Sequence, residues 1–392
     1  MGFSEVPIGE LVAKCSTWNP KASDIEEFDY IDLSSVDKDE KAITSVERYR
    51  CSDAPSRARQ LVKENDVLVA TVRPNLNGVS VVGEEHDGMT ASTGYCVLRP
   101  IIDKLNPRFL FHWVKTGVFV KRMVDVASGA NYPAVSDAKV KASSIPLPPL
   151  VEQKRIAEIL DAVDALRAKR RESLAQLDAL LKSTFIDMFG DPVKNPMGWE
   201  ESALGDICTE KPTYGSGAPA CEFNPSLPRY VRITDVDSSG ELSNELKSAA
   251  LNEKEIEKYR LQEGDVLFAR SGATVGKSYL HRSRNGFCVY AGYMIRFRPD
   301  SEIMLPEILF RYTQTSAYWR WVGRQARTVA QPNINAKMYS ALPIFIPPLD
   351  IQHRFATIVE SVEQQKARMR AHLTELDTLF ASLQHRAFNG EL

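Results

Sequence analysis

The segment from residue 270 to residue 278 combines positive charge with glycine in a way that suits phosphate binding. It reads Arg270-Ser271-Gly272-Ala273-Thr274-Val275-Gly276-Lys277-Ser278 and follows a short apolar run. A nucleotide-binding phosphate loop has four residues between its two glycines, whereas only three separate Gly272 from Gly276. The pattern favours a turn that presents Arg270, Ser271 and Lys277 to a phosphodiester backbone, with nucleotide hydrolysis as the weaker alternative.

Arginines and side-chain amides are frequent around and beyond this turn, and they are the side chains that bind phosphates and read base edges. Arginine suits guanine and phosphate, while asparagine and glutamine suit adenine. The aromatic residues between them are more typical of a core. The candidate nucleic-acid contacts are Arg270, Ser271, Lys277, Arg282, Arg284, Arg324, Arg327, Gln331, Asn333 and Asn335, with Arg73, Asn75, Asn77, Asn131 and Tyr132 from the corresponding stretches of the first half.

No residue pattern indicates a catalytic centre. The sequence lacks a G-x-S-x-G nucleophile elbow, an H-E-x-x-H zinc motif and a DPPY-like methyltransferase tetrapeptide. Its six histidines are scattered, and its paired carboxylates lie in charge-rich stretches. We therefore predict no catalytic residue, no metal site and no cofactor on this chain.

The composition is that of a globular protein with room for two domains. The 392 residues are 43% hydrophobic and 26% charged, and no apolar run is long enough to cross a bilayer. The six cysteines form no CxxC pair and no metal-ligand spacing. These features predict reduced thiols, a cytoplasmic location and no association with membranes.

The net charge of −2 conceals an uneven distribution along the chain. Residues 200–269 carry 7 basic and 14 acidic side chains, whereas residues 270–337 carry 11 basic and 3 acidic ones. The first half shows a weaker version of the same order. The segregation predicts a positive face on the second half for phosphate contacts, with ordinary solvated surface as the alternative, favoured for the first half.

The chain contains the same pattern twice, displaced by 199 positions. Pro148-Pro149-Leu150-Val151-Glu152-Gln153 recurs as Pro347-Pro348-Leu349-Asp350-Ile351-Gln352. Asp66-Val67-Leu68-Val69-Ala70 likewise matches Asp265-Val266-Leu267-Phe268-Ala269. Solenoid repeats have periods of roughly 20 to 50 residues. We therefore interpret the pattern as a duplicated half of a protein.

Each half begins with a mixed α/β pattern. Short β-rich runs lie at 67–72, 79–82, 266–269 and 294–297, and helical spacing of apolar residues follows at 107–124 and 306–322. Prolines then break the pattern before a long helix. The periodicity predicts domains at 1–147 and 197–346, a central helical segment at 148–196 and a distal helical segment at 347–392.

Both long helices carry an apolar seam with polar residues at its middle. We expect the seams to pair as an antiparallel coiled coil that holds the domains apart by about 50 Å, roughly one and a half turns of B-DNA. The alternative is that each helix lies on the core of its own domain. The seam positions are Ile156, Leu160, Val163, Leu174, Leu177, Leu181, Phe355, Val359, Val362, Leu373, Leu376 and Phe380.

The sequence resembles the specificity subunit of type I restriction–modification systems. The resemblance rests on Ile145-Pro146-Leu147-Pro148-Pro149-Leu150-x-x-Gln153, on the segment GDVLFARSGATVGKS at 264–278 and on the closing Phe388-Asn389-Gly390-Glu391-Leu392. It covers the whole chain. The first half departs from it by lacking the Gly-Lys of the turn.

This resemblance implies two similar target-recognition domains, related as a pseudo-twofold internal repeat, that read a bipartite, asymmetric double-stranded DNA target. It also implies a complex with two methyltransferase subunits that carry S-adenosylmethionine and with restriction subunits that use ATP and magnesium. The chain itself would not be an enzyme. A coiled-coil scaffold without sequence preference is the alternative.

Overall fold

The computed structural model describes residues 3–129, 131–237, 240–326 and 333–392. The chain forms two compact units, one of residues 1–172 and 370–392 and the other of residues 173–369. Each unit therefore contains one mixed α/β region and parts of both long helices.

The first unit contains thirteen short strands among its described residues, and four of them form a sheet in the spatial order 79–81, 67–70, 95–100 and 12–13. A five-stranded sheet and two strand pairs complete the β-structure. The helices are Pro107–Val114, Gly117–Val126 and Asp137–Ala142. The strands are Glu5–Pro7, Val12–Ala13, Ser16–Thr17, Glu27–Ile31, Val36–Asp37, Ala42–Ile43, Glu47–Arg50, Ala58–Leu61, Val67–Ala70, Val79–Val81, Thr90–Ser92, Tyr95–Pro100 and Ser144–Pro146.

The second unit repeats the core of this arrangement. Its four-stranded sheet has the order 213–214, 294–297, 266–269 and 278–280. The helices are Glu253–Tyr259, Pro306–Tyr312, Ser316–Ala326 and Ala336–Ser340. The strands are Glu200–Ala203, Thr213–Tyr214, Ala220–Glu222, Arg229–Val231, Lys247–Ala249, Val266–Ala269, Ser278–Leu280, Cys288–Tyr290, Met294–Phe297 and Pro343–Ile346.

The strand registers confirm the duplication residue by residue. Val69 pairs with Cys96 in the first unit, and Phe268 pairs with Ile295 in the second, each at the same offset of 199. The predicted β-runs form strands in both units. Each predicted helical patch is two helices, because Thr116 and Thr315 begin a new helix by accepting a hydrogen bond from the backbone N–H three residues on.

The glutamine of the repeated proline motif ties the start of each long helix to the α/β region that precedes it. Gln153 is buried, its Oε1 accepts from the Asn106 N–H at 2.8 Å, and its Nε2 donates to the carbonyls of Lys104 and Pro148. Gln352 makes the equivalent three bonds, with Leu305, Ile303 and Pro347. Because the amide satisfies one donor and two acceptors at once, it fixes where the helix leaves the domain.

The central helix, Leu150–Phe189, and the distal helix, Leu349–Asn389, run antiparallel to each other. In the first unit, Arg167 bonds to Asp377, while residues further toward the start of the central helix lie level with the end of the distal helix. In the second unit, Lys366 bonds to Asp178, and Phe355 packs on Phe185. The contacts of the first unit and those of the second unit each show, independently, that the two helices are antiparallel.

The apolar seam is buried at its ends and half-buried at its middle. Ile156, Leu160, Val163 and Phe380 belong to the core of the first unit, and Leu181, Phe355, Val359 and Val362 belong to that of the second. Leu174, Leu177, Leu373 and Leu376 are half-buried. Each helix therefore packs on an α/β core and also on the other helix, so the seam serves both the coiled coil and the domain cores.

The polar residues in the middle of the seam form ion pairs between the helices. Arg167 Nε lies 2.6 Å from Asp377 Oδ1, and Lys366 Nζ lies 2.7 Å from Asp178 Oδ1. Both partners are related by the offset of 199. Lys366 is almost fully buried and also bonds to Glu363 at 2.9 Å, so its charge is compensated on both sides. Such pairs favour one register of the two helices.

Candidate nucleic-acid interface

A buried ion pair lies at the start of the strand that leads into the candidate turn in each unit. Asp66 Oδ1 accepts from Arg99 Nε at 2.9 Å and Asp66 Oδ2 from Arg99 Nη2 at 2.7 Å. Asp265 and Arg298 form the same two-point contact at 2.7 and 3.0 Å. Both carboxylates are fully buried, and each accepts a backbone N–H three residues before it. These repeated residues are therefore structural, and they make the strand that leads into the turn rigid.

The turn itself has the same backbone path in both units. The Thr71 N–H bonds to the Gly94 carbonyl and the Thr71 carbonyl accepts from Val135, while Arg270 makes the equivalent bonds with Tyr293 and Ile334. Left-handed backbone occurs at matching positions further on. These are Arg73 and Asn77 in the first unit, with φ of 50° and 46°, and Gly272 and Gly276 in the second, with φ of 77° and 89°.

The second turn does not have the geometry of a phosphate loop. Residues 266–269 and 278–280 are antiparallel neighbours joined by a short 3-10 helix at Gly272–Thr274. A phosphate loop instead leads from a strand into the N-terminus of a helix, whose free N–H groups bind the anion. The Lys277 ammonium donates to the Val236 carbonyl. This turn therefore gives no support to the alternative of nucleotide hydrolysis.

In the first unit, two of the predicted contact residues form one exposed cluster. The Arg73 guanidinium lies 4.6 Å from the centre of the Tyr132 ring, and the Arg73 N–H donates to the Pro133 carbonyl. Tyr132 is 67% exposed, and Asn75 and Asn131 are exposed as well. Asn77 differs, because its amide donates to the Val114 carbonyl at 2.8 Å and holds the turn against a helix.

In the second unit, the predicted residues Arg270, Ser271 and Asn333 lie together. Ser271 forms a β-bridge with Asn333, and the Arg270 guanidinium lies 4.9 Å from the centre of the Tyr214 ring. The Tyr214 hydroxyl accepts from the Ala336 N–H. Asn335 is exposed but caps the helix that begins at Ala336.

The other predicted arginines of the second unit have different surroundings. Arg282 pairs with Glu307, and Arg284 pairs with Glu241 at 3.0 Å. Burial opposes the charge of Arg282, but the attraction of Glu307 outweighs it and raises the pKa of the guanidinium. Arg324 is exposed at the end of helix Ser316–Ala326. The predicted contacts Arg327 and Gln331 lie outside the described residues.

The acidic and basic segments of the second half partly neutralise each other in space. Arg296 and Arg298 belong to the basic segment, and both contact Glu210 of the acidic one, at 2.7 and 3.2 Å. Within the described ranges, the cations of residues 270–337 that make no ion pair are Arg270, Lys277, Arg320, Arg324 and Lys337. The positive surface is therefore narrower than the linear charge pattern predicts.

Three exposed aromatic residues lie next to the turn of the second unit and were not singled out as contacts from the sequence. Tyr293 is 67% exposed, Trp319 is 46% exposed and Tyr214 is 39% exposed. Aromatic residues are usually buried, so sequence alone favours a core position for each. A signal for Tyr293 exists in the repeat, because its equivalent in the first unit is Gly94 and a core position would retain an apolar side chain.

All six cysteines are free thiols. No group of histidine, cysteine or carboxylate side chains within the described ranges has the arrangement of a metal site. Among the helices that the structure describes, none has both the length and the apolar character needed to cross a bilayer.

Comparison with known proteins identifies similar chains. The family model for the type I restriction modification DNA specificity domain matches residues 55–177 and 196–377. The specificity subunit of the type I restriction enzyme StySPI from Salmonella potsdam is 26% identical over 85% of this chain and 76% of that protein. The EcoKI specificity subunit from Escherichia coli K12 is 26% identical over the same shares.

One solved chain comes from a structural study of complex assembly and conformational transition of the type I R-M system. It aligns over 100% of this chain and 98% of its own length. It has a TM-score of 0.57 and 25% identity to this chain.

Proposed function

The chain belongs to the family of type I restriction–modification DNA specificity subunits, and from that premise we propose that its two units read the two halves of one bipartite DNA target. The residues of its turns, Arg73 and Asn75 in the first unit and Arg270, Ser271 and Asn333 in the second, contact the DNA. The target is asymmetric because these two sets differ.

The observation that carries the proposal is one rigid frame with two different sets of exposed side chains. The bidentate Asp–Arg pairs and the turn backbone are the same in both units. If these shared contacts determined the sequence that is read, they would differ between the two units. The exposed residues on the frame differ, as expected if each unit reads its own sequence.

The long helices serve as the spacer between the target halves. A helix of 40 residues has a length of about 60 Å. The buried glutamines fix the start of each helix against the α/β region before it, and the ion pairs at Arg167 and Lys366 favour one register. A fixed register supports a fixed number of base pairs between the halves.

The chain acts with other subunits that carry out the chemistry. Methyltransferase subunits with S-adenosylmethionine modify the target, and restriction subunits with ATP and magnesium cleave DNA. The supports for this assignment are family membership and the absence of catalytic motifs from the sequence. The chain itself supplies recognition and spacing.

Methylation mapping tests the proposal. The chain would be expressed with its methyltransferase subunits in cells that lack other DNA methylation, and modified bases would be located along the genome. We expect one motif, made of two different half-sites and a gap of constant length. An uninterrupted motif, or methylation that depends on the methyltransferase subunits alone, would contradict it.

A further inference from the structure

We propose that Arg73 in the first unit and Arg270 in the second are the guanine-reading residues, each held on a tyrosine ring, so that each target half contains a guanine read by one of them. The inference deepens the proposed function and rests on it. It assigns the residues and the base in each half.

The first pair holds its arginine by backbone and ring together. Arg73 has left-handed backbone with φ of 50°, a conformation that non-glycine residues adopt infrequently. Its N–H donates to the Pro133 carbonyl at 2.7 Å, and its guanidinium lies 4.6 Å from the centre of the Tyr132 ring. Arg73 is exposed, and no carboxylate in the described residues pairs with it. The fold therefore orients this cation without neutralising it.

The second pair is held still more firmly. The Arg270 N–H donates to the Tyr293 carbonyl, and its own carbonyl accepts from Ile334. Its guanidinium lies 4.9 Å from the centre of the Tyr214 ring, and the Tyr214 hydroxyl accepts from the Ala336 N–H at 3.1 Å. Arg270 is half-buried, and its Nε lacks a hydrogen-bond partner among the described residues. No carboxylate in the part of the chain that the structure describes compensates this cation, which points to an external ligand.

Other arginines on rings differ from these two. Arg122 lies 5.7 Å from the centre of the Trp113 ring but pairs with Glu5 at 3.2 Å. Arg260 lies 5.3 Å from the centre of the Phe287 ring and has Glu257 at 3.9 Å. A carboxylate acceptor competes for the N–H groups that a base would use. Among the described residues no carboxylate pairs with Arg73 or Arg270, and each lies on the turn that follows the equivalent strand of its unit.

The chemistry of the pair suits guanine. A guanidinium stacked on a ring uses its face and leaves its in-plane N–H donors available. Guanine presents two acceptors, O6 and N7, at the major-groove edge, and one arginine can donate to both. A phosphate oxygen can also accept from arginine, but it requires no fixed plane. The position of each guanidinium over a ring therefore favours base reading, and lysine would not replace it.

The two arginines lie at non-equivalent positions of the repeated turn. The equivalent of Arg73 in the second unit is Gly272, and the equivalent of Arg270 in the first unit is Thr71. The two tyrosines also come from different parts of their units. We therefore expect the guanine to occupy a different place within each half-site.

Methylation mapping of single variants in the full complex tests the inference. Arg73→Lys and Tyr132→Leu should relax the motif at one guanine of one half, with the preference there falling about ten- to a hundredfold. Arg270→Lys and Tyr214→Leu should do the same at one guanine of the other half. Tyr132→Phe and Tyr214→Phe keep the ring and should preserve the motif. The controls Arg122→Lys and Arg260→Lys should leave both halves unchanged.

Binding of the complex to DNA over a range of salt concentrations separates the alternatives. If Arg73 or Arg270 contacts only phosphate, its replacement by alanine weakens binding to all sequences and reduces the salt slope by about 1. That result, an unchanged motif in the lysine variants, or loss of methylation at all positions would overturn the inference. A two-part motif in the unaltered complex would leave the proposed function intact in each case. Without that motif, the proposed function itself fails.

Discussion

Replacing Gln352 by leucine should destabilise the second unit and leave the first one stable. The side chain is fully buried, and leucine has a similar size but no polar atoms. The change leaves the Leu305 N–H and the carbonyls of Ile303 and Pro347 without their partner. All three belong to the junction between the α/β region and the distal helix.

The expected cost follows from these three groups. A buried polar group left unsatisfied costs about 1 to 3 kcal/mol. Three such groups at the low end cost about 3 kcal/mol, which corresponds to about a hundredfold change in the equilibrium constant for unfolding of the second unit. The extra apolar surface of leucine offsets a fraction of this cost. We therefore expect a loss of about 2 to 3 kcal/mol from the second unit.

Urea unfolding of the full chain, followed by hydrogen exchange of peptides from each unit, measures this loss. Peptides of the second unit should lose protection at lower urea, whereas those of the first unit should not. Gln364→Leu is the matched control, because Gln364 is exposed and its amide reaches only Glu360 on its own helix, at 3.5 Å. A loss below about 1 kcal/mol, or one equal to that of the control, would refute the role assigned to Gln352.

Three further predictions follow from other contacts. Burial opposes ionisation of Asp161, but hydrogen bonds from His112 and Arg108 outweigh it and lower its pKa from 3.8 to about 2. The stability from this carboxylate is therefore present above pH 3.8 and is lost as the pH falls through about 2. Asp161→Asn should cost about 1 to 2 kcal/mol at neutral pH, after allowance for screening, and thermal unfolding should show the difference fading toward pH 2. Arg324→Ala should weaken DNA binding of the complex on all sequences and reduce the salt dependence of binding by a slope of about 1. Lys277→Met should instead lower the melting temperature and leave that slope unchanged. The reverse result would contradict the placement of these two cations. Insertion of four residues beside Arg170 should lengthen the gap in the methylated motif, and an unchanged gap would contradict the spacer role.

The fold could be predicted from the sequence wherever a pattern was repeated or periodic. The strands at Val67 and Val266 and the two long helices followed from apolar spacing and from the offset of 199. The apolar residues at the end of the central helix were less predictable. Phe185 and Phe189 are buried, whereas continuing the apolar spacing of the seam beyond Leu181 leads to Thr184 and Met188. A straight helix drifts relative to a seven-residue repeat, and its end packs on an α/β core as well as on the other helix.

The candidate site was predictable by residue type but not by contact. Arginine and amide residues pointed to the two turns, yet nothing in the sequence indicates that Arg282 pairs with Glu307 or that Arg270 stacks on Tyr214. These contacts join residues far apart in sequence, and the recognition turns are where the two halves differ. The duplication that revealed the frame therefore gave no information about these side chains.

A chain with the first recognition region in both places tests the central claim most directly. Residues 1–147 would replace residues 197–346, with both long helices retained, and the methylated motif of the complex would be mapped. If each unit reads one half of the target, the motif should become two inverted copies of the half-site read by the first unit, with the gap preserved. Retention of the original asymmetric motif by this chain would contradict the account.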